Sequence, residues 1–131
     1  MLQDVSLTVQ SRILGVARIS ALLGLPPTAE AEAGTPVSSR QVDGPRYEVT
    51  TWSRSSMTNG EQLEGHLAAL EVAIDGLSRA REEDPGLTAD LVLMLESAPL
   101  GAMIYLDAGQ VKRLASAGCG VVVDAYETDP G

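Results

Sequence analysis

His66 is the only imidazole in the 131-residue sequence, and Cys119 is the only thiol. Nucleophilic or general-base catalysis of the commonest kinds would run through one of them. A catalytic histidine needs a partner that orients it. One helical turn away from His66 stand Gln62, Leu63, Ala69 and Leu70, none of them a carboxylate. His66 therefore reads as a flank residue of a packed helix. Cys119 sits between Gly118 and Gly120, with Lys112 and Arg113 a helix length away. Without a neighbouring base it reads as a small buried thiol. A lone cysteine also forms no internal disulfide and no cysteine-based metal site.

Other chemical groupings are weaker. Glu82-Glu83-Asp84 gathers three carboxylates, but directly before Pro85-Gly86, where a solvated helix end is the ordinary state. Gly118-Cys119-Gly120 leads into a strand pattern rather than a helix, so it lacks the geometry of a phosphate loop. A serine nucleophile elbow is absent. No catalytic residue, metal or cofactor is expected, and a hydrolytic enzyme ranks last among the readings.

Binding is the stronger theme. The formal net charge is −9, and it is unevenly placed. Residues 1–60 carry five acids and five arginines; residues 61–131 carry thirteen acids and four bases. A negative field repels phosphate backbones, which argues against nucleic-acid binding. It suits a basic protein partner, with solubility as the simpler use of the same charge. Glu64, Glu71 and Asp75 are spaced 7 and 4 apart on one side of a predicted helix, an outward acidic face. Trp52 joins them as a candidate partner contact, since large aromatics concentrate at interfaces.

The elements that must position these residues follow from periodicity. Val5, Leu7 and Val9 alternate with polar residues, a half-buried strand. Val16, Ile19, Leu22 and Leu23 have helical spacing, and Gly24 suits a left-handed cap. Residues 29–45 show no apolar period and are rich in Ala, Glu, Gly, Pro and Ser; they predict a long, exposed, mobile loop. Alternation over 47–52 predicts a strand. Thr58 with Glu61 fits a capping box. Leu63, Leu67, Leu70, Ile74 and Leu77 then make one apolar stripe of a long helix, stopped by Asp84-Pro85-Gly86.

The runs 91–95 and 102–106, with a break at 98–101, predict two more strands. Asp107 can cap a short helix with Val111, Leu114 and Ala115 on its stripe, and Val121-Val122-Val123 begins a last strand. Strand, helix, strand, helix, strand, strand, helix, strand predicts one α+β domain over 1–131. The expected fold is a ferredoxin-like two-layer sandwich, a mixed sheet of about five strands with a long helix and two shorter ones on one face. No apolar run approaches the roughly 20 residues of a membrane span, and no leader segment is evident, so a cytoplasmic protein is expected.

Several short motifs recur in a known order. They are Leu23-Gly24-Leu25-Pro26-Pro27-Thr28, Gly34-Thr35-Pro36, Trp52-Ser53, Leu63-Glu64-Gly65-His66-Leu67, Leu114-Ala115 with Gly118, and Asp124-Ala125-Tyr126. In this order and spacing the chain resembles the bacterial family catalogued as domain of unknown function 4279, from residue 5 to 126. Family members often carry aromatic or basic side chains where this chain has Ala29-Glu30-Ala31-Glu32-Ala33. The resemblance implies a fold and assigns no activity. The expected function is a non-enzymatic protein-interaction module of the immunity or antitoxin kind. The alternative is a small-ligand or regulatory binding domain using the groove beside the long loop. A homodimer is an expected assembly.

Overall fold

A computed structural model describes residues 1–97 and 103–127. Along the chain come β1 (Leu2–Ser11), α1 (Val16–Leu23), β2 (Ala29–Ala31), β3 (Thr50–Ser55), α2 (Leu63–Glu83), β4 (Thr88–Ser97), α3 (Ala108–Ser116) and β5 (Gly120–Glu127). The strands form one mixed sheet in the order β2-β3-β1-β4-β5. The first three neighbouring pairs are antiparallel, and β4 with β5 is parallel. This is an α+β two-layer sandwich. Among the described residues no helix is long and apolar enough to cross a membrane.

The central strand β1 shows how the pattern makes the layer. Val5, Leu7 and Val9 are fully buried on one face, and Ser6 and Thr8 stay partly open on the other. Leu7 stands opposite Leu91, and Val9 opposite Ala89 on one side and Trp52 on the other. The buried face meets Ile19 and Leu23 of α1 and Leu70, Ala73, Ile74 and Leu77 of α2. Leu114 of α3 joins the same core. Burying a Val or Leu side chain contributes about 1.5–3 kcal/mol, so this stripe holds α2 despite its internal glycines.

One of those glycines is required. A Cβ on Gly76 would stand 2.6 Å from the Leu22 carbonyl oxygen and 2.7 Å from Leu23 Cα. Helices α1 and α2 therefore meet backbone to backbone. Gly24 ends α1 at φ +77°, the predicted left-handed cap, and its amide donates to the Ser20 carbonyl at 2.8 Å. Arg18 of α1 also bridges to Glu83 at the end of α2, Nη2 to Oε2 at 2.6 Å, and holds that carboxyl below its ordinary pKa.

Four expectations change. Residues 29–31, assigned to a loop, form the edge strand β2: Ala29 pairs with Ser53 and Ala31 with Thr51. The second strand begins at Thr50 rather than Tyr47. Among the described residues, 103–106 have no strand partner; Ile104 and Leu106 pack against the core while Met103 and Tyr105 are exposed. The expected break at 98–101, with Ala102, lies outside the described residues. Helix α2 starts at Leu63 behind Gln62, with no side-chain cap. The Thr58 hydroxyl donates to the Ser56 carbonyl instead. The capping box lies at α3, where Asp107 accepts the Gln110 amide and Gln110 accepts the Asp107 amide.

Candidate functional site

Residues of α2 and α3 line a common cleft of about 240 Å³. Its floor is apolar, Leu67 and Ile74 from α2 and Leu114 from α3, with the exposed Ala68 beside them. Glu64 and Glu71 stand along its rim, and Arg113 closes the far wall. The geometry follows from helical spacing. Glu64, Leu67, Ala68 and Glu71 fall at i, i+3, i+4 and i+7, one surface strip of α2. The capping box fixes the start of α3, which sets the rotation that turns Leu114 inward and Arg113 toward α2.

Of the four residues expected to meet a partner, Glu64 and Glu71 come together here, both exposed. Asp75 lies one turn further along α2 and forms an ion pair with Arg113. That pair neutralises the cation beside the cleft and leaves the rim acidic. Trp52 corrects the fourth expectation. It is fully buried on the helix side of the sheet, and its Nε1 donates to Ser20 Oγ at 3.1 Å. It anchors the core and offers nothing to a partner. Arg113 and Leu114 escaped selection because their place beside α2 depends on the crossover from β4 to β5, which no local spacing encodes.

His66 has partners that sequence spacing did not show. It is almost fully buried, and its Nε2 lies 2.8 Å from the Gly60 carbonyl, which can only accept. Nε2 therefore carries a proton. In the neutral ring Nδ1 accepts, and Ser56 Oγ lies 2.6 Å from it as the donor. Hydroxyl, imidazole and carbonyl form a relay like that of a hydrolase, but Ser56 is also buried and neither residue lines the α2–α3 cleft. Their effect is to tie the end of β3, the turn 57–60 and the first turn of α2 together. Met57, inside that turn, takes φ +55°, an uncommon conformation for a side chain of its size.

Cys119 is buried behind α3. Burial, and after it the charge of Asp90, pushes its thiol up to about 11. Little thiolate forms at neutral pH, so the residue is a poor nucleophile.

A second cleft, about 230 Å³, lies near the end of the long loop, lined by Gln10, Ser11, Arg12, Val49, Asp84, Gly86 and Thr88. Its buried polar groups already serve one another. Ser11 Oγ donates to Asp84 Oδ2 at 2.6 Å and accepts the Leu14 amide at 2.9 Å, while Asp84 Oδ1 accepts the Gly86 amide at 3.0 Å.

No curated protein and no solved structure matches this chain. The family model for a domain of unknown function (DUF4279) matches residues 2–128, a span that holds every element described above. The chain therefore belongs to the DUF4279 family.

Proposed function

We propose that this protein is a non-enzymatic interaction module that receives a basic, amphipathic segment of a partner protein in the cleft between α2 and α3. The carrying observation is the pairing of an apolar floor with an acidic rim: Leu67, Ile74 and Leu114 below, Glu64 and Glu71 above. Apolar side chains of an incoming helix would fill the floor, and its lysines or arginines would meet the rim. Helix-in-groove recognition has this division of labour. A neutralised Arg113 keeps a cation from opposing the guest. The excess acid in residues 61–131 adds a field that steers basic partners at long range.

An immunity or antitoxin-like role, in the cytoplasm, is the finer form of this reading. The antiparallel run β4-β1-β3-β2 supports a ferredoxin-like base to which α3 and β5 are added, and it is α3 that completes the cleft. A small-ligand site beside Val49 has less support, because the polar groups of that floor are already satisfied.

The test uses the full chain and a synthetic amphipathic peptide with lysines on one face. Amide chemical-shift changes should cluster at Leu67, Ile74 and Leu114, and binding should weaken as salt rises. Glu64→Lys with Glu71→Lys should abolish it while the fold is retained. Shifts centred elsewhere, or binding indifferent to salt and to both reversals, would overturn the proposal.

A further inference from the structure

The sheet has two edges, and they are built differently. The β2 edge is three residues long and carries Glu30. Short, charged edges of that kind resist pairing with other chains. The β5 edge is eight residues long, Gly120-Val121-Val122-Val123-Asp124-Ala125-Tyr126-Glu127, and every one of them is exposed. It has no lysine, no proline and no break in its register with β4. Val121, Val122 and Val123 are 42%, 45% and 50% exposed, although they alternate between the two faces of the sheet. An outer β-strand with apolar side chains open on both faces is a template for one more strand.

We propose that the strand it takes is β5 of a second copy of this chain, antiparallel, about a two-fold axis at Val122. The sequence is self-complementary in that register. Val122 faces Val122, Val121 faces Val123, and Gly120 faces Asp124, so within β5 no carboxylate stands directly opposite another; the one acidic neighbour of that pair is Asp90 of β4, which lies beside Gly120. Charge is complementary at the ends. Arg81 donates to the carbonyls of Ala117 and Gly118, at the start of β5. Glu127 is at the other end, beyond the paired residues 120–124, where the two-fold carries it toward the turn between α3 and β5 of the second copy. Pairing with β4 puts Glu127 on the same face as Val121 and Val123, the face of the sheet that carries the helices over β1 and β4, from which Arg81 reaches. The two-fold thus brings each Glu127 toward the other copy's Arg81, twice per dimer. A parallel arrangement would bring like ends together. Each copy has one such edge, so the assembly closes at two. No residue lining the α2–α3 cleft lies on β5, so the dimer and the proposed guest do not compete for those side chains.

The test is sedimentation equilibrium of the full chain over micromolar to submillimolar concentrations. The wild-type chain should self-associate to a dimer and no further. Val122→Lys, which sets like charges directly opposite, should weaken the dimer by about tenfold or more and leave the far-UV spectrum unchanged. Register is read separately in a Cys119→Ser background. Val122→Cys should cross-link two copies on mild oxidation, because directly opposed strand residues have Cα atoms about 4.5–5.5 Å apart. A monomer at every concentration, a dimer indifferent to Val122→Lys, or Val122→Cys copies that fail to cross-link would overturn the proposal.

Discussion

The Glu32 carboxylate closes the N-terminus of a helix that begins sixteen residues earlier: its Oε2 accepts the Val16 amide at 3.0 Å. Gly15, at the helix cap, has no side chain to do this, and a Cβ there would stand 2.6 Å from Glu32 Oε1. The residue after β2 thus does the work of an N-cap, with the helix dipole favouring the charge. Glu32→Ala should lower stability by about 1 kcal/mol, as loss of a cap does. Gly15→Ala should cost less in the Glu32→Ala background than in the wild-type chain, because no carboxylate remains to be displaced. Urea unfolding of the four proteins in the cycle measures both effects; simple additivity would count against the contact.

Gly76 sets two effects of opposite sign against each other. Alanine is better than glycine inside a helix by about 1 kcal/mol. Here the new methyl group would meet the backbone of Leu22 and Leu23, which cannot turn away as a side chain can. Gly76→Ala should therefore destabilise, by about 1–3 kcal/mol, the usual cost of overpacking. Thermal unfolding decides it, and a raised Tm would show that α1 can move outward.

Ser56→Ala should leave His66 Nδ1 buried without a donor, at a cost of about 1–3 kcal/mol. A fluorophosphonate probe should not label the folded wild-type chain at Ser56. Labelling there would turn a structural tie into a nucleophile and reverse the non-enzymatic reading.

Cys119 should alkylate slowly at neutral pH and rapidly once the chain unfolds. Its pKa also gives stability a sign. The folded thiol is raised from 9.0 to about 11, so between those values the folded state holds more proton than the unfolded one. This contribution is full below pH 9.0 and is lost as pH climbs toward 11. Cys119→Ser should flatten the alkaline limb of the stability profile.

The long loop has a point of entry for proteases. Arg40 is exposed, while Arg46 donates to the Gly34 carbonyl at 2.6 Å and the Val42 carbonyl at 3.3 Å. Limited trypsin digestion should cut first after Arg40, before any site in residues 61–126. First cleavage at Arg79 or Arg81 would place the weak point in α2 instead.

Much of this was readable in the sequence, and the failures share a cause. Strand β1, helix α2, the Gly24 cap and the Asp107 cap carry local signals: alternation, a stripe, a glycine and a capping residue. Strand β2 carries none. Ala29-Glu30-Ala31 becomes a strand because Thr51 and Ser53 offer it an edge. The run at 103–106 has a strand's apolarity but no strand partner among the described residues. Thr58 and Asp107 both precede a plausible capping residue by three, yet only Asp107 caps; the Thr58 hydroxyl is drawn to Ser56. The same holds for the candidate site. Glu64 and Glu71 could be chosen from one helix, whereas Arg113 and Leu114 needed a second helix to be laid beside the first. Trp52 was ambiguous by type, and burial decided it.

The place of β1 at the middle of the sheet has a consequence during synthesis. Of the eight described elements it leaves the ribosome first, and one of its two neighbours comes five elements later: Leu2 of β1 pairs with Leu95 of β4. At roughly 5–20 residues per second, β1 waits on the order of ten seconds for β4, holding at most β3 on its other side. Val5, Leu7 and Val9 spend that interval beside an open hydrogen-bonding edge. The newborn chain is thus most exposed to misassociation before residue 97 emerges, and chaperone capture of truncated nascent chains should fall sharply once that length is passed.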